Sequence, residues 1–174
     1  PNTPLVLMGY MNNCLSLKEN LFDELKKNKI DGLIIVDLPY VESNEFLKKL
    51  NEKDIDLIRL ISPTTTKERI DKILGSSSGY LYYISLKGVT GSELKISDEL
   101  ENRVLEIKKQ TKLPVVVGFG IKDAETAKKM SLCSDGVVVG SKLVDEIGSF
   151  NPNKENILNQ NLTSIISELK EGIS

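Results

Sequence analysis

The chain has 174 residues, of which 40% are apolar and 28% are charged, and its formal net charge is −2. This length and composition predict one globular domain with a sizeable core. The nearly neutral charge gives no electrostatic basis for binding nucleic acid or a membrane surface. No apolar run approaches the ~20 residues that a membrane-spanning helix needs.

Histidine is absent from the sequence, and Cys14 and Cys133 are its two cysteines. The missing histidine excludes a Ser/His/Asp triad, a Cys/His dyad and nearly all metal sites that use histidine. Any acid–base catalysis would therefore have to use carboxylates, Tyr or Lys. Two distant cysteines do not predict a disulfide framework, so we expect a reducing compartment, the cytoplasm or a plastid stroma.

Apolar strand segments alternate with helical segments along the chain. The predicted strands cover residues 5–8, 32–36, 57–61, 80–84, 115–117 and 136–139. The predicted helices cover residues 16 to about 27, 42–52, 65 to about 74, the region 100–107, residues 124–130, a short segment after 141 and the region 157–169. Two capping boxes, Ser16 with Glu19 and Thr65 with Glu68, predict where two of these helices begin.

Three glycine-containing segments follow predicted strands: 88–91, 118–121 and 140–141. The last two lie about one βα unit apart, so a parallel barrel would place them side by side at its C-terminal rim. Such barrels bind phosphate there, after the seventh and eighth strands. Glycine lets backbone N–H groups approach an anion, and a helix dipole favours its charge. The segments therefore predict a phosphorylated small-molecule ligand.

Continuous apolar strands separated by helices predict a parallel sheet covered on both faces. Six βα units are about two fewer than the eight of a closed barrel of ~250 residues. We therefore expect an α/β fold, the last six βα units of a (β/α)8 TIM barrel, as one domain over residues 1–174 without its N-terminal units. Unpaired sheet edges predict that this segment alone is marginally stable or associates with itself.

At these segments the chain resembles the α subunit of tryptophan synthase, from Pro4 to about Ile147. The order and spacing of the motifs, rather than any one of them, make the resemblance specific. The motifs are Leu7-Met8-Gly9-Tyr10 with Asn12, Gly32 through Asp37-Leu38-Pro39, Ser62-Pro63-Thr64-Thr65 with Arg69, Gly79 to Ser85, Gly88-Val89-Thr90-Gly91, Pro114 with Gly118-Phe119-Gly120-Ile121, and Asp135-Gly136 with Gly140-Ser141.

The resemblance implies a role in tryptophan biosynthesis. Members of this family are lyases that cleave indole-3-glycerol phosphate to indole and glyceraldehyde 3-phosphate by a retro-aldol reaction, without a metal or an organic cofactor. The resemblance also implies a partner, the β subunit, which binds pyridoxal phosphate and condenses the indole with serine.

The resemblance further implies roles for individual residues of this chain. The substrate phosphate would be held by Gly91, Gly120, Gly140 and Ser141. Tyr82 and Phe119 would line the pocket for the indole and glycerol groups, and Thr90 would lie on a mobile loop that closes over it. Asn12, Asp37 and Pro39 would lie on loops that face the β subunit.

The two catalytic carboxylates of the family, a Glu and an Asp, precede the matching region and have no counterpart here. Retro-aldol cleavage needs a proton delivered to the indole ring and one removed from a glycerol hydroxyl. The chain would then bind phosphate without turnover, unless Tyr82 supplies an acid–base step. Because the prefix Pro1-Asn2-Thr3-Pro4 contains no Met, we expect a truncated or processed segment.

Other interpretations stay open. Lys87, just beyond the strand at 80–84, could form a Schiff base as in barrel aldolases, although it lies in a polar loop. The chain could be a non-catalytic module that binds a glycerol phosphate or engages a β subunit. It could also be another phosphate-binding barrel, related to histidine-pathway enzymes or indole-glycerol-phosphate synthase, although these lack the combined DLP, SPTT and GVTG pattern.

Four of the candidate residues also have purely structural interpretations. Gly120 could simply permit a tight turn after a strand. Ser141 could cap a helix, and Asp37 could cap a loop. Tyr82 could serve only in packing, on the opposite side of its strand from Tyr83.

Overall fold

The computed structural model describes residues 3–16, 20–38, 40–84, 98–118, 120–149 and 155–173. The predictions on Pro39, Lys87, Thr90, Gly91 and Phe119 lie outside these residues. Strands and helices alternate in the described part. The strands are β1 (Val6–Gly9), β2 (Gly32–Ile35), β3 (Asp56–Ile61), β4 (Leu81–Ile84), β5 (Val115–Gly118) and β6 (Gly136–Val137). The helices are α1 (Met11–Ser16), α2 (Leu21–Lys27), α3 (Tyr40–Asn51), α4 (Lys67–Leu74), α5 (Asp98–Lys108), α6 (Ala124–Ser131), α7 (Ser141–Gly148) and α8 (Glu155–Ile173).

The chain forms two compact units. The first unit comprises Pro1–Tyr82 and Thr111–Leu113, and the second comprises Tyr83–Gln110 and Pro114–Ser174. None of the described helices is long and apolar enough to cross a lipid bilayer.

In the first unit, β1, β2 and β3 pair in parallel, with Gly32 opposite Val6 on one side and Asp56 on the other. Parallel neighbours need a crossover connection, which the helices between them supply. All four residues of β2 are buried, as expected for a strand covered on both faces. Leu33 of β2 and Leu57 of β3 share an apolar cluster with Leu25 of α2 and Leu50 of α3.

In the second unit, β5 and β6 pair in parallel and α5 contacts β5. The predicted apolar face of α5 is confirmed, because Leu100, Val104 and Ile107 are all buried. Asp135 joins these elements. Its N–H donates to the carbonyl of Val115 at 2.8 Å, and its carboxylate accepts from the N–H of Val115 at 2.8 Å and from Nζ of Lys108 at 2.7 Å. Further along, α8 packs on α6 and α7.

Both predicted capping boxes are wrong. Ser16 ends α1 rather than starting a helix, and its hydroxyl donates to the carbonyl of Asn13 at 2.7 Å. The cap of α4 is Thr66, whose side chain accepts from the N–H of Arg69. Thr65 instead accepts from the N–H of Ser62 at 3.0 Å. Ser and Thr hydroxyls compete for neighbouring backbone groups in this way, so the spacing of residue types alone misplaced both helix starts.

Candidate functional site

The ends of β5 and β6 bring two of the predicted glycine segments to one edge of the second unit. Val116 lies opposite Gly136 and Val117 opposite Val137, and the N–H of Val138 donates to the carbonyl of Val117 at 2.9 Å. Gly120 and Gly140 are separated by the same sequence offset as these paired residues. Since neighbouring strands lie about 4.8 Å apart, the two segments leave the sheet side by side.

Gly120 has a backbone conformation that a side chain disfavours. Its φ is +58°, in the left-handed region where an L-residue brings its Cβ against the backbone. The interpretation that this glycine permits a tight turn therefore has a geometric basis. The same turn directs the chain that follows β5 away from the sheet and towards α6.

Gly140, unlike Gly120, has a backbone conformation and surroundings that would accept a side chain. Its φ is −118°, it occupies the N-cap position of α7, and no side chain caps this end of the helix. An added Cβ at Gly140 would meet no described atom within 4 Å. Its carbonyl accepts from the N–H groups of Leu143 and Val144 at 3.0 and 3.1 Å. None of the described contacts therefore requires glycine at this position.

Ser141 is the first residue of α7, so the interpretation of it as the helix cap is wrong, because Gly140 holds that position. In α7 the N–H groups that precede Leu143, the first one bonded to the Gly140 carbonyl, have no acceptor within the helix and lie at its positive dipole end. At α7 these donors lie beside the Ser141 hydroxyl. This arrangement is suited to receive an oxyanion.

Tyr82 lies on β4 in the first unit, between two almost fully buried neighbours. Leu81 and Tyr83 are 0% and 1% exposed, whereas Tyr82 is half-buried. Burial raises the pKa of the Tyr82 phenol, and Tyr80 raises it further. The phenol is therefore neutral near pH 7, where it can donate a hydrogen bond but is a poor general base.

Asp37 and Asn12 lie at neighbouring strand ends in the first unit. Asp37 Oδ1 accepts from the N–H of Met11 at 2.6 Å, and the N–H of Val36 donates to the carbonyl of Gly9 at 3.0 Å. Asp37 therefore holds the start of α1, which supports the loop-capping interpretation. Asn12 is exposed on the same short helix. The structure thus brings two of the predicted partner-facing residues together.

One unusual residue was missed by the sequence analysis. Arg59 lies within the apolar strand β3 and is 7% exposed. Its Nη2 donates to the carbonyl of Leu38 at 3.4 Å, and its buried Nη1 has no hydrogen-bond partner. The available signal was a charged residue inside an apolar run.

The cysteines are buried, and burial raises the pKa of the Cys14 thiol, with Asp37 contributing in the same direction. Burial likewise raises the pKa of the Cys133 thiol. Both thiols are therefore protonated and unreactive near neutral pH. Within the described part of the chain, no three His, Cys, Asp or Glu side chains are grouped as a metal site would require.

Comparison with known proteins identifies the family. The profile of "Tryptophan synthase alpha chain" matches residues 1–174. The tryptophan synthase alpha chain of Marinobacter nauticus is 42% identical over 174 residues, which are 99% of this chain and 64% of that protein. The corresponding protein of Janthinobacterium is 46% identical over 147 residues, 84% of this chain and 56% of that protein.

Solved structures agree with this assignment. Tryptophan synthase subunit alpha from Legionella pneumophila has a TM-score of 0.84 at 35% identity, covering 98% of this chain and 63% of that chain. A mutant α-subunit from Pyrococcus furiosus has a TM-score of 0.83 at 30% identity, covering 98% of this chain and 68% of that chain.

The chain spans less than two thirds of the length of these two curated relatives. The predicted α/β fold, with six βα units of a TIM barrel, is confirmed by the strands described above and by these structural neighbours. The chain belongs to the tryptophan synthase alpha chain family.

Proposed function

We propose that this chain forms the phosphate-binding part of an α subunit that cleaves indole-3-glycerol phosphate to indole and glyceraldehyde 3-phosphate in tryptophan biosynthesis. The observation that carries the proposal is the pair of glycine segments at the ends of β5 and β6, in a chain that matches the family over its whole length. The ligand is a phosphate monoester, whose charge suits backbone N–H donors.

Each described residue of this site has a distinct part in holding the phosphate. Gly120, with its positive φ, turns the chain so that backbone N–H groups can face the anion. Gly140 leaves room for the anion at the start of α7, because no described atom lies within 4 Å of where its Cβ would be. The Ser141 hydroxyl and the first turn of α7 donate to the phosphate oxygens. The family resemblance assigns a further backbone donor to Gly91, which lies outside the described residues.

The organic part of the substrate lies against aromatic side chains. The family resemblance assigns Tyr82 and Phe119 to this role, and the half-buried Tyr82 offers a neutral phenol and a ring face. Such pockets are lined mainly by apolar and aromatic groups, with a few polar groups that fix orientation. The family resemblance assigns Thr90 to a loop that closes over the substrate.

The chemistry breaks the carbon–carbon bond between the indole ring and the glycerol chain. The ring carbon takes up a proton, and the glycerol hydroxyl loses one as it becomes the aldehyde. This reaction uses no metal and no organic cofactor. Tyr82 is protonated near pH 7 and cannot serve as the base, while Asp37 is already held by the N–H of Met11. Because the catalytic Glu and Asp of the family have no counterpart in this sequence, we infer that these 174 residues do not supply the acid and the base.

The partner is a β subunit that carries pyridoxal phosphate. We assign Asn12, which lies on the short helix α1 rather than on a loop, and Asp37 to the surface that engages the β subunit, and the family resemblance adds Pro39. Asp37 acts there by positioning, since its bond to Met11 fixes the start of the short helix that carries Asn12.

Indole release from indole-3-glycerol phosphate tests the proposal, together with calorimetric binding of glycerol 3-phosphate. The chain is assayed alone, with a β subunit, and with a family segment that supplies the N-terminal units. We expect phosphate-ester binding by the chain alone and indole release only after complementation. A Ser141→Ala variant should bind the ester more weakly.

Two outcomes would contradict parts of this account. If the folded chain does not bind glycerol 3-phosphate, the phosphate site is wrongly assigned. If the chain alone releases indole above background, its own residues supply the acid and the base, and our inference that they do not is wrong. Binding without indole release, even after complementation, would favour a non-catalytic binding module.

A further inference from the structure

Arg59 has an unusual environment for a cation. Side chains alternate along a strand, so Arg59 lies on the same side of β3 as Leu57, which packs with apolar residues of α2 and α3. The guanidinium is therefore withdrawn from water at the helix-covered face of the sheet. Burial lowers the pKa of Arg59, and the nearby charge of Arg69 lowers it further. Both effects mean that the charged guanidinium is poorly compensated.

The hydrogen bonds of Arg59 do not satisfy it. The bond from Nη2 to the carbonyl of Leu38 measures 3.4 Å, beyond the usual range for an N–H···O bond. The buried Nη1 has no partner. None of the ion pairs between described residues includes Arg59. A buried donor without an acceptor is costly, and a buried charge without a counter-ion is more so.

The groups around the Arg59 guanidinium add positive electrostatic potential there and do not compensate its charge. Leu38 precedes the first residue of α3 by two positions, so Nη2 of Arg59 reaches the N-terminal end of that helix. Arg69 lies in the first turn of α4, where its N–H donates to the cap residue Thr66. Helix N-termini attract anions and disfavour cations. The guanidinium of Arg59 therefore lies at the N-terminal end of α3, and the first turn of the next helix, α4, carries a second guanidinium, that of Arg69.

We propose that Arg59 and Arg69 form a binding site for a small oxyanion of the phosphate or carboxylate class at the N-terminal ends of α3 and α4. The oxyanion accepts from Nη1 of Arg59 and from the exposed guanidinium of Arg69. Charge-assisted bonds from arginine to an oxyanion are among the stronger hydrogen bonds in proteins. This site lies in the first unit, whereas the glycine segments and α7 lie in the second.

Titration of the intact protein with inorganic phosphate, followed by NMR, tests the proposal. A parallel titration with acetate tells whether the site prefers phosphate or carboxylate. The resonances to follow are the Arg59 Nε–H and the backbone amides in the first turns of α3 and α4. We expect these resonances to shift and saturate, and Arg59→Met to abolish their shifts while those near Ser141 remain.

Variants at two exposed positions test the site independently of whether Arg59→Met folds. Arg69→Met should weaken phosphate binding at this site about tenfold, by removing one charge-assisted donor group. The matched control is Lys72→Met, which removes the same charge one turn further along α4 and should leave the affinity nearly unchanged. The proposal is overturned if the Arg59 and first-turn resonances do not saturate in the wild-type protein, or if Arg69→Met and Lys72→Met behave alike.

Discussion

Gly172 of α8 lies against the backbone of Ala124 at the start of α6. A Cβ on Gly172 would be 2.6 Å from the carbonyl oxygen of Ala124 and 3.0 Å from its Cα. Backbone atoms cannot move aside as the tip of a flexible side chain can. The last helix of the second unit therefore depends on this glycine for its close approach to α6.

Gly172→Ala should destabilise the protein, although alanine favours a helix over glycine by about 1 kcal/mol. Separating α8 from α6 has a larger effect, and we expect a net loss of about 1–3 kcal/mol, as in overpacked cores. Urea unfolding measures the change. Gly148→Ala is the matched control, because a Cβ there meets no described atom within 4 Å. Equal stability of the two variants would show that α8 does not need glycine to approach α6.

Gly140→Ala should weaken ligand binding while leaving the stability of the fold nearly unchanged. Its φ of −118° is open to any residue and its surroundings are empty, so the free energy of unfolding should change by less than about 0.5 kcal/mol. The added methyl group would occupy the space proposed for phosphate, so the affinity for glycerol 3-phosphate should fall at least about tenfold. Calorimetric titration beside urea unfolding measures both. Unchanged affinity would count against a phosphate at this helix end.

Gly120→Ala should affect folding as well as binding. A non-glycine residue in the left-handed region costs about 1–2 kcal/mol, and φ at Gly120 is +58°. We therefore expect a loss of stability of this size together with weaker binding of the phosphate ester. Gly120→Asn serves as a control, since asparagine tolerates this conformation better, and it should recover part of the stability. If alanine and asparagine are equally stable here, strain is not what limits this position.

The sequence predicted the regular elements more accurately than their ends. The strands β2 to β5 follow apolar runs, and the face of α5 follows its helical period, so each was visible in local sequence. Helix α1 was not predicted, because its first N–H is held by Asp37, which is distant in sequence. The choice of Thr66 over Thr65 as a cap depends on a turn in which Thr65 accepts from Ser62. Such contacts are not encoded in the spacing of residue types.

For the candidate site, too, the sequence predicted which segments lie together but not what constrains each residue. Gly120 and Gly140 could be paired from sequence because their spacing equals one βα unit, and the register of β5 and β6 has the same offset. The sequence could not show that the two glycines differ. Only the structure reveals the positive φ of Gly120 and the empty space around Gly140. Arg59 was overlooked because a single charge within an apolar strand gives no indication of whether it is paired.

Arg59→Met should stabilise the protein in a buffer without phosphate or carboxylate. The change removes a buried guanidinium whose Nη1 has no partner and keeps a long apolar side chain. Replacing poorly compensated buried charge by apolar groups is often stabilising, and we expect about 1 kcal/mol here. Thermal and urea unfolding measure the difference, and added phosphate should reduce it by stabilising only the wild-type protein. A large loss of stability would show that the bond to Leu38 matters more than its length suggests.

Asp135→Asn should destabilise the protein near neutral pH and have less effect in acid. Burial alone would raise the pKa of Asp135, but its bonds from Lys108 and from the N–H of Val115 outweigh burial and lower it. A lowered pKa contributes stability above the unfolded value of about 3.9, which is lost as the pH falls through the folded value. We therefore expect Asp135→Asn to cost about 1–2 kcal/mol at pH 7, by removing a charged acceptor.

The difference between wild type and Asp135→Asn should shrink below a pH of about 4, where the unfolded carboxyl is protonated. Urea unfolding at several pH values measures this profile. Asp54→Asn is the control, because its pair with Lys26 leaves the Asp54 side chain 90% exposed, and such pairs contribute little. A difference that persists unchanged into acid would mean that Asp135 acts through the geometry of its bonds rather than through its charge.

The 174-residue chain by itself should associate through β1. Leu7 and Met8 point to opposite faces of this strand and are 42% and 56% exposed, and Leu5 just before it is 51% exposed. An exposed apolar strand with unpaired backbone groups is a template for pairing with another chain. Sedimentation velocity over a concentration series should show self-association, and Leu7→Lys should reduce it by placing a charge on the strand. A chain that stays monomeric and unfolds cooperatively at high temperature would contradict this prediction, because β1 would then be tolerated in water without a partner.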